Sequence, residues 1–243
     1  MAKIVETLTN SQINNPRDIV SYIETKLQGS PWSLVYSVNS TNGKARYFSN
    51  GKYTVAFAGS ATDETLDGLS MSNYYFYLKL IKTKNTDGTE VPTGVSYFQD
   101  AELPVPGSYP ASQTWFLVYT SDYLVIRCPE LNKLWAVFTA TAGTKNIGLV
   151  TGGNLNRIHS LEDTAVSSDG ALITLSDVGT SAYTEGSTDV ALLPYFMRQN
   201  AKIYPQLSGV YRPVGQSQAF LDEVTDGTNN HVIVVPNLLA VRY

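Results

Sequence analysis

The C-terminal sequence carries the clearest pattern in the chain. Residues 192–243 read LLPYFMRQNAKIYPQLSGVYRPVGQSQAFLDEVTDGTNNHVIVVPNLLAVRY. Three apolar runs of strand length lie in it, at residues 192–197, 209–211 and 231–235. The dipeptide Asp226-Gly227 places a tight turn just before the last run. Because chain ends fray unless a sheet holds them, an apolar run that continues to Tyr243 predicts a C-terminus built into a β core.

Near the N-terminus the pattern changes from one helix to short strands. Asn15 and Pro16 predict a helix start, because asparagine caps helices well and proline suits the first turn, and Gly29 predicts its end. A single short helix is stable only when it packs on other elements. Two Asn-Gly dipeptides, at residues 42–43 and 50–51, then predict type I′ hairpin turns and a β-meander.

The centre of the chain adds further strands. Residues 115–120, 123–128 and 134–140 form three apolar runs, with a compact hairpin turn between the first two, and we predict that they form the core. Residues 73–81 are aromatic on both faces of a strand, which indicates either a central strand or a face offered to a partner. The fold is therefore predicted to be mainly β: an antiparallel β-sandwich or barrel-like fold with one N-terminal α-helix packed on it.

A proline-rich segment separates the two halves. Three prolines, at positions 104, 106 and 110, remove the backbone donors that a strand needs, so the segment is predicted to be extended and at the surface. One organisation is then a helix plus β-meander over residues 1–102, a connector over 103–112 and an antiparallel β region over 113–243. The other is one continuous domain over residues 1–243.

Composition narrows the class of protein. Hydrophobic residues make up 43% of the chain, which excludes a disordered protein, while charged residues make up only 16%. The net charge of −4 predicts no binding to nucleic acid. No apolar run has the length of a membrane span or of a signal peptide. The one cysteine, Cys128, lies in a strand run and is expected to be a buried hydrophobic residue.

The residues that carry enzyme chemistry are sparse. Only two histidines are present, and neither has a cysteine or a second histidine nearby, so no metal site and no cofactor are predicted. His159 is expected in a polar loop, and His231 in a turn-capping or exposed position. Three acidic pairs, at residues 63–64, 162–163 and 222–223, are expected at the surface. The chain is therefore not predicted to be an enzyme.

The order of motifs resembles a known family. A Leu-Leu-Pro strand at residue 192, the sequence LSGVY from Leu207, Gly215-Gln216 and a Val-Val-Pro-Asn strand from Val234 occur in that order. This order resembles the C-terminal region of a family of virion structural proteins of tailed bacteriophages. A helix, a tryptophan and a meander at the N-terminus, and a tryptophan-led strand near the centre, are similar to that family too. The final residue, Tyr243, departs from its pattern.

The resemblance implies a structural component of a phage tail, neck or baseplate, which would be made in the host cytoplasm and located in the virion. Its partners would be other virion proteins and copies of itself. Residues 1–14, 103–110 and 179–189 are candidates for arms that reach neighbours. Candidate interface residues are Tyr74, Tyr75, Phe76, Tyr77, Tyr109 and Tyr183.

A glycan-binding, host-recognition β-sandwich is the alternative function, because tyrosine and tryptophan rings stack on sugars. Two of the three tryptophans, however, lie in predicted core strands. A polysaccharide hydrolase ranks third.

Overall fold

A computed structural model of the chain describes residues 2–142, 145–153, 158–162, 165–167, 171–174, 183–185, 190–199, 202–215, 218–225 and 228–243. The candidate arm at 179–189 lies outside these residues except for 183–185, and so does the predicted turn at 226–227.

Contacts along the backbone divide the chain into two compact units. The first spans Lys3–Ser168, and the second comprises Met1–Ala2 and Asp169–Tyr243. The division therefore falls after residue 168, whereas the sequence suggested a connector at 103–112. Residues 103–111 contain no strand, but Leu103 and Tyr109 are buried in the core of the first unit. Two apolar side chains that fold back into the core keep a proline-rich segment from acting as a linker.

Among the described residues, one helix and fourteen strands belong to the first unit, and the first residue of β1 is assigned to the second. They are β1 (Ala2–Thr9), α1 (Pro16–Lys26), β2 (Ser33–Asn39), β3 (Gly43–Ser49), β4 (Thr54–Ser60), β5 (Glu64–Leu66), β6 (Leu69–Met71), β7 (Tyr75–Lys84), β8 (Glu90–Glu102), β9 (Ser112–Tyr119), β10 (Tyr123–Cys128), β11 (Lys133–Ala142), β12 (Lys145–Gly153), β13 (Ile158–Glu162) and β14 (Ala165–Ser167).

Two antiparallel sheets of the first unit are sandwich-like. One has the strand order β2-β3-β4-β7-β8, and the other has the order β1-β9-β10-β11-β12-β13-β14. Both send side chains into a shared apolar core, in which the ring of Phe76 meets that of Trp135 with centroids 5.0 Å apart. Neither sheet closes into a barrel along the described strands. The predicted mainly β class is thus confirmed in its sandwich-like form. Residues 75–81 of the aromatic run lie in β7, which pairs with β4 and β8, whereas residues 73–74 form a turn before it.

The helix begins and ends where the sequence predicts. The side chain of Asn15 accepts a hydrogen bond from the backbone N–H of Asp18 at 3.1 Å, and Gly29 adopts a φ of 73° just after the helix. The helix packs on the sheets through one apolar face, from which Ile19, Val20 and Ile23 are buried. It is the only helix among the described residues, and its packing confirms the prediction.

The two Asn-Gly turns differ from each other. Both connect strands of the predicted meander β2-β3-β4, which is confirmed. A type I′ turn needs positive φ at both central residues. Gly51 has a φ of 84°, but Asn50, Asn42 and Gly43 are not among the residues with positive φ, so the predicted type I′ geometry is wrong for both turns. The hydroxyl of Ser40 accepts a hydrogen bond from the N–H of Gly43 at 2.7 Å and closes a different turn there.

Gly59 allows the helix to approach the sheet. A Cβ atom at this position would lie 2.5 Å from the backbone carbon of Pro16. We expect Gly59→Ala to lower the free energy of unfolding by about 1–3 kcal/mol, because the start of the helix would have to move. Urea unfolding followed by circular dichroism measures this. Gly43→Ala is the matched control, since its Cβ would meet only the flexible side chains of Glu64 and Met71. Equal losses for both variants would contradict the helix contact.

The second unit contains seven described strands. They are β15 (Ala171–Thr174), β16 (Tyr183–Glu185), β17 (Val190–Gln199), β18 (Lys202–Gly215), β19 (Glu223–Thr225), β20 (Asn230–Val235) and β21 (Leu239–Arg242).

The C-terminal strands form one antiparallel sheet in the order β15-β17-β18-β21-β20-β19, and β16 also pairs with β17. The three apolar runs of the C-terminal sequence lie in β17, β18 and β20. Strand β21 pairs with both β18 and β20, and its residues Leu239, Ala240 and Val241 are fully buried. The predicted incorporation of the C-terminus into a β core is confirmed.

Candidate assembly surface

The short hairpin β5–β6 covers one face of the five-stranded sheet. Leu66 and Met71 of the hairpin are buried together with apolar residues of β3, β4 and β7. This face is opposite to the one that meets the second sheet. One face of an antiparallel sheet is exposed to solvent in many proteins. Here the hairpin β5–β6, whose two strands have three residues each, shields the centre of that face.

A group of charges lies at the edge of this covered face. The ammonium of Lys84, whose side chain is only 3% exposed, lies 3.0 Å from a carboxylate oxygen of Asp67 and 3.6 Å from Glu90. The same ammonium lies 4.6 Å from the ring centroid of Tyr47 and 4.9 Å from that of Tyr36. Cation–π contacts add to the ion pairs when a lysine is removed from water. We name these five residues the Lys84 cluster.

The charges of the Lys84 cluster are paired with opposite charges, and its polar groups are hydrogen-bonded. The hydroxyl of Tyr47 donates to the carboxylate of Asp67. Burial, together with this bond, raises the pKa of Tyr47, so its hydroxyl remains a donor at neutral pH. Glu90 also accepts a bond from Lys79 at 2.5 Å. Because each ion meets an opposite charge, the cluster acts as a structural clamp that joins the hairpin β5–β6, at Asp67, to the sheet.

The predicted interface residues lie in different environments. Tyr74 and Tyr75 are partly exposed, and their rings are 5.0 Å apart at an angle of 44°. The ring of Tyr77 lies 6.1 Å from that of Tyr75.

Three of the proposed contact residues are buried within the chain itself: Phe76, Tyr77 and Tyr109. The backbone of Tyr183 lies in β16, and its side chain is outside the described part. The side chains of Tyr74 and Tyr75 are therefore the ones that the described structure leaves within reach of a partner.

Among the described strands, β2 forms an edge of the five-stranded sheet. It pairs with β3, and its sequence, SLVYSVN, contains no charged residue and no proline. The side chain of Leu34 is 48% exposed. Natural proteins usually protect edge strands with lysine, proline or a covering element, because free backbone groups invite pairing with another chain. The sequence predicted this strand, but it did not show that the strand lies at an edge.

A pocket of about 380 Å³ lies beside the start of β2. Its lining includes Leu27 and Gly29 at the end of the helix, and Leu34 and Phe48 on the sheet. The lining is predominantly apolar, and it also includes the polar residues Glu24 and Gln28. Together, β2 and this pocket form the surface that we call the β2 edge.

Cys128 has the environment of a structural residue. It is fully buried in β10, and burial raises the pKa of its thiol to about 12. We expect no reaction with a thiol reagent such as Ellman's reagent at pH 8 while the protein is folded, because the thiolate is the reactive form. Full reaction in denaturant serves as the positive control. Rapid labelling of the native protein would contradict this placement.

The two histidines lie on strands of different units. The expected exposed position of His231 is wrong, since this residue is fully buried at the start of β20 and its ring meets that of Tyr211 at 4.9 Å. His231 is the second residue of β20, and it is paired on both sides, with Val224 of β19 and Arg242 of β21. The backbone of His159 lies in β13 instead of a loop, and its side chain is outside the described part.

The acidic pair at residues 63–64 makes local hydrogen bonds. The carboxylate of Asp63 accepts bonds from the hydroxyl of Ser72 and the N–H of Asn73, both at 3.0 Å. Glu64 accepts a bond from the hydroxyl of Ser60. Within the described ranges, no group of three or more histidine, cysteine, aspartate or glutamate side chains is arranged to hold a metal ion. In the same part of the chain, no helix is long and apolar enough to cross a membrane.

Comparison with known proteins adds no relative: no protein-family model matches the sequence, and no curated protein matches it.

Proposed function

We propose that this protein is a structural component of a tailed-bacteriophage virion, in the tail, neck or baseplate, and that it acts by symmetric assembly with copies of itself and with other virion proteins. The observation that carries the proposal is strand β2, an edge among the described strands, which contains no charged residue and exposes the side chain of Leu34. The resemblance of the motif order to virion structural proteins supports the phage context.

The composition of the chain suits assembly through protein–protein interfaces. Protein interfaces are depleted of charged residues in their centre and enriched in tyrosine and other aromatic residues. The chain has 16 tyrosines and a charged fraction of 16%. Of the tyrosines on the described surface, Tyr74 and Tyr75 lie side by side and could extend the contact area at a low entropic cost, because each has few rotatable bonds.

Purified virions provide the test of the proposed structural role. Quantitative mass spectrometry of purified virions of the phage that encodes the chain should recover it at a fixed copy number per particle. Immunogold electron microscopy should then place the label on the tail, the neck or the baseplate. Recovery of the chain from the host lysate but not from washed particles would contradict the proposal.

Glycan binding is the second candidate function, and one observation favours it. The partly exposed rings of Tyr74 and Tyr75 lie at an angle to each other, near the loop in which Asp63 bonds to Ser72 and Asn73. All three tryptophans are buried, so they offer no platform. A glycan array would test this function. Binding that is lost in Tyr74→Ala would support it, and an array without any signal would exclude the sugars presented.

A further inference from the structure

The Lys84 cluster holds a buried lysine against a carboxylate, which the surface ion pairs of this chain do not. The ammonium of Lys84 lies 3.0 Å from a carboxylate oxygen of Asp67, and the side chain of Lys84 is only 3% exposed. The pair formed by Lys52 and Asp122 is closer, at 2.7 Å, but its side chains are 32% and 37% exposed. Water therefore reaches both ions of that pair, whereas it is largely excluded from the ammonium of Lys84.

Exclusion of water changes the chemistry that is open to such a pair. The rings of Tyr36 and Tyr47, with centroids 4.9 and 4.6 Å from Nζ of Lys84, take the place of water there. Burial disfavours the charged forms of amines and carboxylic acids. Transfer of one proton from Lys84 to Asp67 gives a neutral amine and a neutral acid, which are the reactants of amide formation. Well-oriented groups held together react with effective molarities of about 10⁵–10⁸ M.

We propose that Lys84 and Asp67 form an amide (isopeptide) bond within the chain, which ties the turn between β5 and β6 to the end of β7. The neutral Nζ of Lys84 attacks Cγ of Asp67, and the Nζ–Cγ bond forms. One proton passes from Nζ to the hydroxyl group on Cγ, the bond between Cγ and this hydroxyl breaks, and one water molecule leaves. Neither an oxidant nor a reductant is required, because the reaction is a condensation of an ammonium with a carboxylate.

Two neighbours are placed to assist the reaction. Glu90 is the cross-strand partner of Lys84, with a carboxylate oxygen 3.6 Å from Nζ, so it can take the proton from Nζ and return it to the leaving hydroxyl. The hydroxyl of Tyr47 donates to the carboxylate of Asp67, and a donor in this position stabilises the negative oxygen that develops on Cγ. Burial raises the pKa of Tyr47, so the donor is retained at neutral pH.

The charges that remain after the reaction are already paired. Condensation removes one positive and one negative charge, those of Lys84 and Asp67. Glu90 also accepts a bond from Lys79 at 2.5 Å, so its carboxylate retains a cation at the site. The product buries a neutral amide in place of an ion pair. This removes the cost of keeping two ions away from water, and it favours the bond over its hydrolysis.

The bond is internal to one chain, so it is independent of the assembly proposed above. It links two positions that are 17 residues apart and holds the hairpin β5–β6 over the covered sheet face. The ion pair is its reactant and holds the same two segments together until the bond forms. Unlike the ion pair, the amide persists in denaturant.

Mass spectrometry of the full chain under denaturing conditions tests the proposal. The intact mass should be lower than the mass of the sequence by one water molecule. Trypsin should then release residues 53–79 joined to residues 83–127, because it does not cleave after an acylated lysine at position 84. Fragmentation of the joined peptides should place the link at Asp67 and Lys84. Cleavage after Lys52 should remain complete, and its loss would contradict the requirement for burial.

A second reaction at Asp67 also releases water, and the peptide map distinguishes it. An aspartate that precedes a glycine, as Asp67 precedes Gly68, can cyclise to a succinimide. This product leaves residues 53–79 as a separate, lighter peptide, and finding it in place of the joined peptides would overturn the proposal. A wild-type chain with the full mass of its sequence, in fresh and in aged preparations, would overturn it as well.

Variants separate the roles of the residues, with the linked fraction followed over time after cell-free synthesis of each chain. Lys84→Met removes the nucleophile and should yield no joined peptides. Glu90→Gln should slow the linkage about 100-fold or more, because an amide does not carry protons between the reacting atoms. Lys52→Met is the matched control and should link at the wild-type rate. Circular dichroism shows whether each variant folds. Linkage of a folded Glu90→Gln chain at the wild-type rate would overturn the proton transfer through Glu90.

Discussion

Replacing Phe76 with alanine is expected to lower the free energy of unfolding by about 3–5 kcal/mol, the largest loss among the substitutions considered for this protein. Phe76 is fully buried, stacks on Phe57 with ring centroids 6.0 Å apart and meets the edge of Trp135. It thus connects the two sheets of the first unit. Truncation removes its apolar contacts and leaves a cavity between sheets that cannot collapse easily. Chemical unfolding monitored by tryptophan fluorescence measures the loss.

Tyr74→Ala is the control for that experiment. Tyr74 is two residues away in sequence but partly exposed, and its ring contact is with Tyr75. We expect it to cost at most about 1 kcal/mol, within the range of surface substitutions. If Tyr74→Ala leaves stability nearly unchanged and weakens assembly, Tyr74 is an interface residue, while Phe76 acts in the core. A small effect of Phe76→Ala on stability would contradict the arrangement of the two sheets.

The second large effect is expected in the Lys84 cluster. Asp67→Asn should destabilise the protein by about 3 kcal/mol, because it leaves the buried ammonium of Lys84 with Glu90 alone, at 3.6 Å, and Glu90 already binds Lys79. Asparagine retains the shape of the side chain and tolerates the φ of 50° that Asp67 adopts in the hairpin turn. The loss therefore reports on the charge, and urea unfolding at pH 7 measures it.

Lys84→Met provides the comparison for this ion pair. It removes the buried cation, while Asp67 keeps its bond from Tyr47 and Glu90 keeps Lys79. We expect a smaller loss than for Asp67→Asn, since an apolar side chain of similar length can occupy the site. In the double variant the losses should not add, because the interaction is removed only once. Additive losses would mean that the two side chains do not interact.

The local elements were predictable because short-range chemistry specifies them. Asn15, Pro16 and Gly29 mark a helix whose start is set by a cap between residues three apart. The apolar runs of β9, β10 and β11 mark strands that are buried, as expected. The hairpin turn at residues 121–122 joins two adjacent strands, and the N–H of Thr120 donates to the carbonyl of Tyr123 at 2.9 Å.

The candidate assembly surface was predictable only in part. The sequence drew attention to the aromatic residues around Tyr75, but alternation along a strand could not show which of them face the core, since both faces of β7 are apolar. Burial of Phe76 and Tyr77 on opposite faces follows from two separate layers, the second sheet and the hairpin β5–β6. A layer supplied by a distant segment leaves no trace in the local pattern.

The sequence by itself determined the class of fold, the single helix, the order of the main strands and the inclusion of the C-terminus in a sheet, because periodicity, caps and turn residues act over a few positions. Only the tertiary structure decided which strand became an edge and which charges met. Strand β2 is an edge because no other described strand pairs beside it, and Lys84 meets Asp67 across 17 positions because the hairpin folds over the sheet. Such placements depend on packing between distant segments, and that packing also determines the surface left for a partner.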